Sequence, residues 1–170
     1  MTTIPSVETA RLRLRAFTLA DLDPYAAMSA DAEVMRHIGA GGPIERDVAW
    51  RHLALFLGCW ALHGHGMWAI ERKSDGALIG RAGFLDPPGW PGCELGWLLA
   101  RDAWGQGYAL EAALAAREFG RREQGLGALI SIIRPTNARS IALAERLGAH
   151  NAGPVDFMGN TALVYHHAPA

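Results

Sequence analysis

The 170-residue chain has only two cysteines, a net charge of −1, and no apolar run near the roughly 18 residues that cross a bilayer. Cys59 and Cys93 stand alone in the sequence, so no disulfide framework is expected, and unpaired thiols in a reducing cytoplasm are. Near-zero charge excludes the basic field of a nucleic-acid-binding protein. A polyanionic ligand would therefore have to be held by local backbone amides. The opening residues, Met1 to Pro5, lack the basic region and apolar stretch of a secretory signal. There is no internal repeat, low-complexity tract or linker, and residues 1–170 read as one domain. Seven histidines are present, but His63 with His65 and His166 with His167 lack the Cys, Asp or second-His spacing of a zinc site. They read as surface or turn histidines, and no metal is expected.

What is present is a soluble composition, 50% hydrophobic, with enough length for a real core. Leu12, Leu14 and Ala16 alternate with Arg11, Arg13 and Arg15, as in a half-buried strand. Thr18 to Asp21 reads as a capping box opening a helix near Leu22. A short helix is predicted from Asp31 to Ile38. A longer one runs from Glu45 to His63 with Trp50, Leu53, Leu57 and Trp60 on its apolar face. Met67–Arg72 and Ala77–Leu85 form a hairpin around Ser74, Asp75 and Gly76. Prolines make 86–92 a loop. Cys93–Leu99 is the next strand, followed by a helix from about Gly107 to Gln124. A strand at Ala128–Ile133, a helix at Asn137–Leu147 stopped by Gly148, and a last strand near Thr161–His166 complete the chain.

The most informative stretch runs from Trp104 to Ala112, through Gly105, Gln106, Gly107, Tyr108, Ala109, Leu110 and Glu111. Two glycines one residue apart, between a strand and a helix, allow a sharp turn with no side chain in the way. The helix start behind them offers free N–H groups to a phosphate. Glycines at such a junction also occur as a plain turn. A P-loop would need a lysine that is absent, and a dinucleotide fingerprint would need glycine where Leu110 stands.

This segment resembles the pyrophosphate loop of the GNAT acyl-CoA N-acetyltransferases, with Gly107 and Ala109 at its last two fixed positions. Trp104 replaces the usual Arg or Gln, as is common in the Rim-type branch that contains the ribosomal-protein alanine acetyltransferases. Four other strings follow the branch in order: Glu8 to Arg15; Trp68 to Glu71 with Gly76 to Gly80; Glu94 to Trp97; and Asn137 to Ser140 with Glu145 to Gly148. The resemblance implies an α/β (α+β) fold. Its central sheet would be mixed and mostly antiparallel, with six to seven strands, flanked by helices and splayed between the fourth and fifth strands. It further implies acetyl-CoA as cosubstrate and a small-molecule or peptide amine as acceptor. It implies no nucleic-acid or membrane partner, and leaves a homodimer open.

Moving an acetyl group from a thioester to an amine requires a held thioester, a neutral amine and help for developing charge. An amine of pKa near 10 is neutral about once in a thousand at pH 7, roughly 4 kcal/mol of barrier. Glu94, early on the strand before the glycine loop, is the candidate base. The bland alternative is a structural carboxylate bridged to a first-strand arginine. Asp86 and Glu71 read as solvated surface charges. Trp68 and Trp97 read as core, and Trp90 as loop packing or as a wall of the acceptor cleft. The resemblance implies that the backbone of Leu98, Leu99 and Ala100, the loop Trp104, Gly105, Gln106, Gly107, Tyr108 and Ala109, and Asn137 hold the cofactor. Ser140 would approach its sulfur. Asn137 is equally a natural helix cap. The family's acid tyrosine falls at Ala144, so a silent acyl-CoA-binding domain is the alternative function. Residues 31–65 would line the acceptor side.

Overall fold

Alternating burial along the strands places apolar side chains on both faces of one sheet, and helices cover each face. A computed structural model describes residues 3–168; Met1 and Thr2, which open the segment scanned for a signal, lie outside them. The elements are β1 (Val7–Glu8), β2 (Leu12–Arg15), α1 (Leu22–Ser29), α2 (Ala32–Met35), α3 (Arg46–His63), β3 (Met67–Arg72), β4 (Leu78–Leu85) and β5 (Glu94–Leu99). They continue with α4 (Tyr108–Gln124), β6 (Leu129–Ile133), α5 (Ala138–Arg146), β7 (Ala149–Phe157) and β8 (Asn160–His167). Among the described residues, no helix is long and apolar enough to cross a membrane.

The strand order is β1-β2-β3-β4-β5-β6-β8-β7, antiparallel at every step except β5–β6. That parallel step registers at Glu94 with Ile130 alone, and the strands part beyond it. The splay therefore lies where the family resemblance implies it. Among the described residues the sheet has eight strands against the six to seven expected. The two unforeseen ones are weak in sequence: β1 has two residues, and β7 carries Gly153 and Pro154 beside a register shift. Both glycine and proline read as loop, yet proline is tolerated on an edge strand such as β7.

One face of the sheet, with Leu12, Leu14, Trp68, Ile70 and Phe84, packs on the alanines of α4. The other, with Met67, Ala69 and Leu98, packs on α1, α2 and α3. The alanine face of α4 lets the helix lie close to the sheet. In α3 the buried stripe is Ala49, Leu53, Phe56 and Trp60, with Cys59 beside it. Trp50 and Leu57, expected on that face, are 52% and 38% exposed. The helical period explains this, since they lie one row round from the i, i+4, i+7, i+11 stripe.

Candidate active site

After β5 a single 3-10 turn (Arg101–Ala103) leads into the glycine loop. Gly105 and Gly107 have φ of 73° and 79°, the left-handed region that disfavours side chains, and Gly107 caps α4. The first N–H groups of this 17-residue helix open toward the loop. A brace that sequence reasoning missed comes from Arg11. Its Nε donates to Glu111 at 2.7 Å, its NH1 donates to the Gln106 carbonyl at 2.9 Å, and its guanidinium covers the Tyr108 ring at 4.4 Å. Burial alone would raise the Glu111 carboxyl, but hydrogen bonds from Thr9 and Arg11 outweigh it and hold the group below its usual range. Glu111 thus stays charged and keeps Arg11 in place.

The splay opens a groove of about 820 Å³ between β5 and α5. Leu98, Leu99, Trp104, Gly105, Gly107, Tyr108, Ala109, Asn137 and Ser140 line it together with Trp97. Ala100 and Gln106 do not. The Ala100 N–H is already bonded to the Ile79 carbonyl, and the Gln106 side chain donates to Asp102 O. The Leu99 carbonyl accepts from the Trp104 indole at 3.0 Å, which leaves one lone pair. Arg36, paired with Glu33, and Arg139 and Arg146 also border the groove, and Arg139 lies 4.0 Å over the Trp104 ring. The chain is nearly neutral, but it concentrates cations here.

Asn137 Oδ1 accepts from the Ser140 N–H at 3.2 Å, so Asn137 is the cap of α5. Trp97, expected in the core, is half-buried on the groove wall and donates its indole N–H to Ser140 Oγ at 3.2 Å. Ala144 is fully buried against Ile133, Ala149 and Tyr165, facing the core and not the groove.

Glu94 faces an adjoining cavity of about 320 Å³, lined also by Arg81, His52, Trp90 and Phe157. Trp90 donates to Glu94 Oε2 at 2.7 Å and packs edge-on against Phe157 at 4.9 Å. Burial raises the Glu94 carboxyl above its usual range, opposed by the Trp90 hydrogen bond, Arg81 and the Ile132 N–H. No first-strand arginine reaches it. Arg11 pairs with Glu111, Arg13 with Glu8 and Glu71, and Arg15 with Asp21 and Glu71. Glu71 is therefore the centre of an ion-pair network, not a solvated charge. The cavity walls come from α3, the stretch after α2, and the β7–β8 hairpin, the last of which was not anticipated. Trp97, Asn137 and Ser140 border both the groove and the cavity, so the two spaces meet there.

Asp86 is likewise not a free surface carboxylate. His63 Nδ1 lies 2.7 Å from its Oδ1 and His65 Nε2 lies 3.1 Å from its Oδ2, at the far end of α3. These three offer metal-ligand atoms within 4.8 Å of one another, a grouping the sequence spacing concealed. Each ring already meets one carboxylate oxygen. Cys93 Sγ stands 4.0 Å from His65, and burial beside Asp86 and Glu94 pushes that thiol up to about 12. His167, expected at the surface, is buried against Ser131 Oγ at 2.9 Å.

A model of the acetyltransferase (GNAT) domain matches residues 11–150. A solved acetyltransferase from Agrobacterium tumefaciens str. C58 is 35% identical, with a TM-score of 0.85 over 96% of this chain and 94% of that one. YkkB of Bacillus subtilis (strain 168) is 36% identical over 90 residues, and that match spans 52% of each chain, about half the relative's length. RimL, a ribosomal L7/L12 alpha-N-protein acetyltransferase, shares the fold with a TM-score of 0.81 at 16% identity, over 96% of this chain and 94% of its own.

Proposed function

The chain belongs to the GNAT acetyltransferase family and is an acetyl-CoA-dependent N-acetyltransferase; we propose that it transfers the acetyl group directly to a primary amine held beside Glu94. The observation that carries this reading is the junction of groove and cavity at Trp97, Asn137 and Ser140. It lets a long cofactor and a separate acceptor meet at one point.

The groove fits the cofactor chemically. Positive-φ glycines and the open amides of α4 suit a pyrophosphate, and Arg139 and Arg146 add charge of the right sign. Bound acetyl-CoA supplies an acetyl thioester open to attack by a neutral amine. Leu98, Leu99 and Asn137 line the groove, and the remaining lone pair of the Leu99 carbonyl and the amide NH₂ of Asn137 are the proposed partners for the pantetheine arm, whereas the Leu98 backbone pairs with Arg81 of β4. Ser140 accepts from Trp97, so its own proton is free to donate toward the sulfur. Glu94, with its raised pKa, takes a proton from the acceptor ammonium directly or through water. No tyrosine is needed, because a thiol of pKa near 8.5 departs readily as thiolate.

The acceptor is the α-amine of a protein N-terminus or a small-molecule amine. A cytoplasmic setting accompanies this reading, supported by two unpaired cysteines. Thiol release from acetyl-CoA, measured over a panel of peptide and small amines, tests it. Amine-dependent release is expected. Tight CoA binding with no release from any amine would replace it with the silent acyl-CoA-binding domain.

A further inference from the structure

Arg81 sits mid-strand in β4 at 8% exposure, on the wall of the Glu94 cavity. Its Nε has no hydrogen-bond partner among the described residues. Its NH1 meets Met67 Sδ at 3.6 Å, a weak acceptor, and its guanidinium carbon lies 5.2 Å from the centre of the Phe56 ring. A guanidinium removed from water without an opposite charge costs several kcal/mol. Glu94 shares the cavity and feels Arg81, yet its carboxylate is held by Trp90 and the Ile132 N–H and makes no ion pair with it. His52, also on the wall, supplies no anion; burial and then Arg81 lower its pKa and favour the neutral ring. The cavity therefore presents a carboxylate and a guanidinium that remain separate.

The geometry points to an acceptor that is itself zwitterionic, with its amine at Glu94 and a carboxylate on Arg81. This rests on the acetyl-transfer reading and narrows its acceptor class. Arginine is suited to the role because its planar fork matches a carboxylate through two parallel hydrogen bonds. An amine without a carboxylate would leave the buried fork unpaired, which is the strongest basis for rejecting an analogue. Two sources share this chemistry: a free amino acid, through its own carboxylate, and a peptide with an acidic side chain near its N-terminal amine.

The test uses matched pairs with the full-length protein and acetyl-CoA: free amino acids against their amides, and peptides with Asp or Glu at the second position against Asn or Gln. In at least one set the carboxylate member should be preferred by about 10²-fold in kcat/KM. Which set responds identifies the source. The preference should collapse to a few-fold in Arg81→Gln and survive in part in Arg81→Lys, with CoA affinity unchanged as evidence of folding. No preference in the wild type, or one that persists in Arg81→Gln, overturns the assignment and leaves acetyl transfer standing. If no amine releases thiol, acetyl transfer itself fails, and calorimetric titration of the CoA-loaded protein with the same pairs decides. Binding of the carboxylate members that disappears in Arg81→Gln supports the Arg81 site, and equal binding of both members overturns it.

Discussion

The Trp97 indole donates to the Ser140 hydroxyl oxygen at 3.2 Å, linking β5 to α5 across the split in the sheet. Because the oxygen is the acceptor in this bond, the hydroxyl proton points elsewhere. Ser140→Ala should cost about tenfold, mainly in kcat, as a thiolate leaving group needs little help. Trp97→Phe should reproduce part of that loss while Ser140 remains. If Ser140→Ala abolishes turnover with CoA binding and stability intact, the serine is essential. An acetyl-serine trapped at that point would overturn direct transfer.

Glu94→Gln should lose on the order of 10²-fold or more at neutral pH and recover as pH approaches the pKa of the amine. It should also be more stable than the wild type above the carboxyl's usual range. Burial raises the folded pKa, so the native state holds the proton more tightly than the unfolded chain and stability falls as pH rises through that window. A pH series of thermal melts and rates checks both. Equal rates across pH would leave Glu94 a structural charge.

Gly107→Val should weaken CoA binding, since valine is strained at φ 79° and its side chain would stand where the pyrophosphate is expected. Arg11→Gln should weaken it less, by loosening the Gln106 carbonyl and freeing Glu111. Calorimetric titration with CoA reads both effects, and unchanged affinity in a folded Gly107→Val would remove the loop from the cofactor site.

Asn137→Ala removes the cap of α5 as well as the proposed pantetheine contact. It should cost about 1 kcal/mol of stability and raise the KM for acetyl-CoA more than Ser140→Ala does. Melting the variant with and without CoA separates the two losses. A stability loss with unaltered KM would make the residue a cap alone.

Acid should destabilise the fold through His167. Burial, reinforced by Arg117 and Arg121, lowers its pKa from 6.5 to about 4. Below pH 6.5 the unfolded chain takes up a proton that the native state refuses, so stability present above 6.5 is lost as pH falls toward 4. The full effect is about 3 kcal/mol at most. His167→Asn should flatten this part of the profile, and an unchanged acid slope in its melts would assign the loss to other groups.

The glycine loop and the main strands were legible in the sequence because their signals are local. Period-2 alternation around Leu12 and Leu14, paired glycines before an alanine-rich helix, and Asn137 before α5 each act within a few residues. The cavity was less legible because its parts meet only through long-range pairing. Arg81 reads as an ordinary residue in an apolar strand, and Phe157 lies in a segment that proline and glycine disguise as loop. The grouping of Asp86 with two histidines depends on β4 ending beside α3, which no spacing announces. In the sequence Arg11 reads as one of three equivalent strand arginines, and only its pairing with Glu111 sets it apart.

The register shift and Pro154 in β7 bear on how copies of the chain can meet. β7 closes one side of the sheet, and an unpaired strand is where a second molecule would extend the ladder. Proline offers no donor there, and the shift between Asn151 and Gly153 breaks the even spacing that a partner strand would need. Self-association by continuing the sheet past β7 is thus discouraged by the strand itself. A homodimer of this chain would have to be built from side-chain surfaces or from the opposite edge, the two-residue β1.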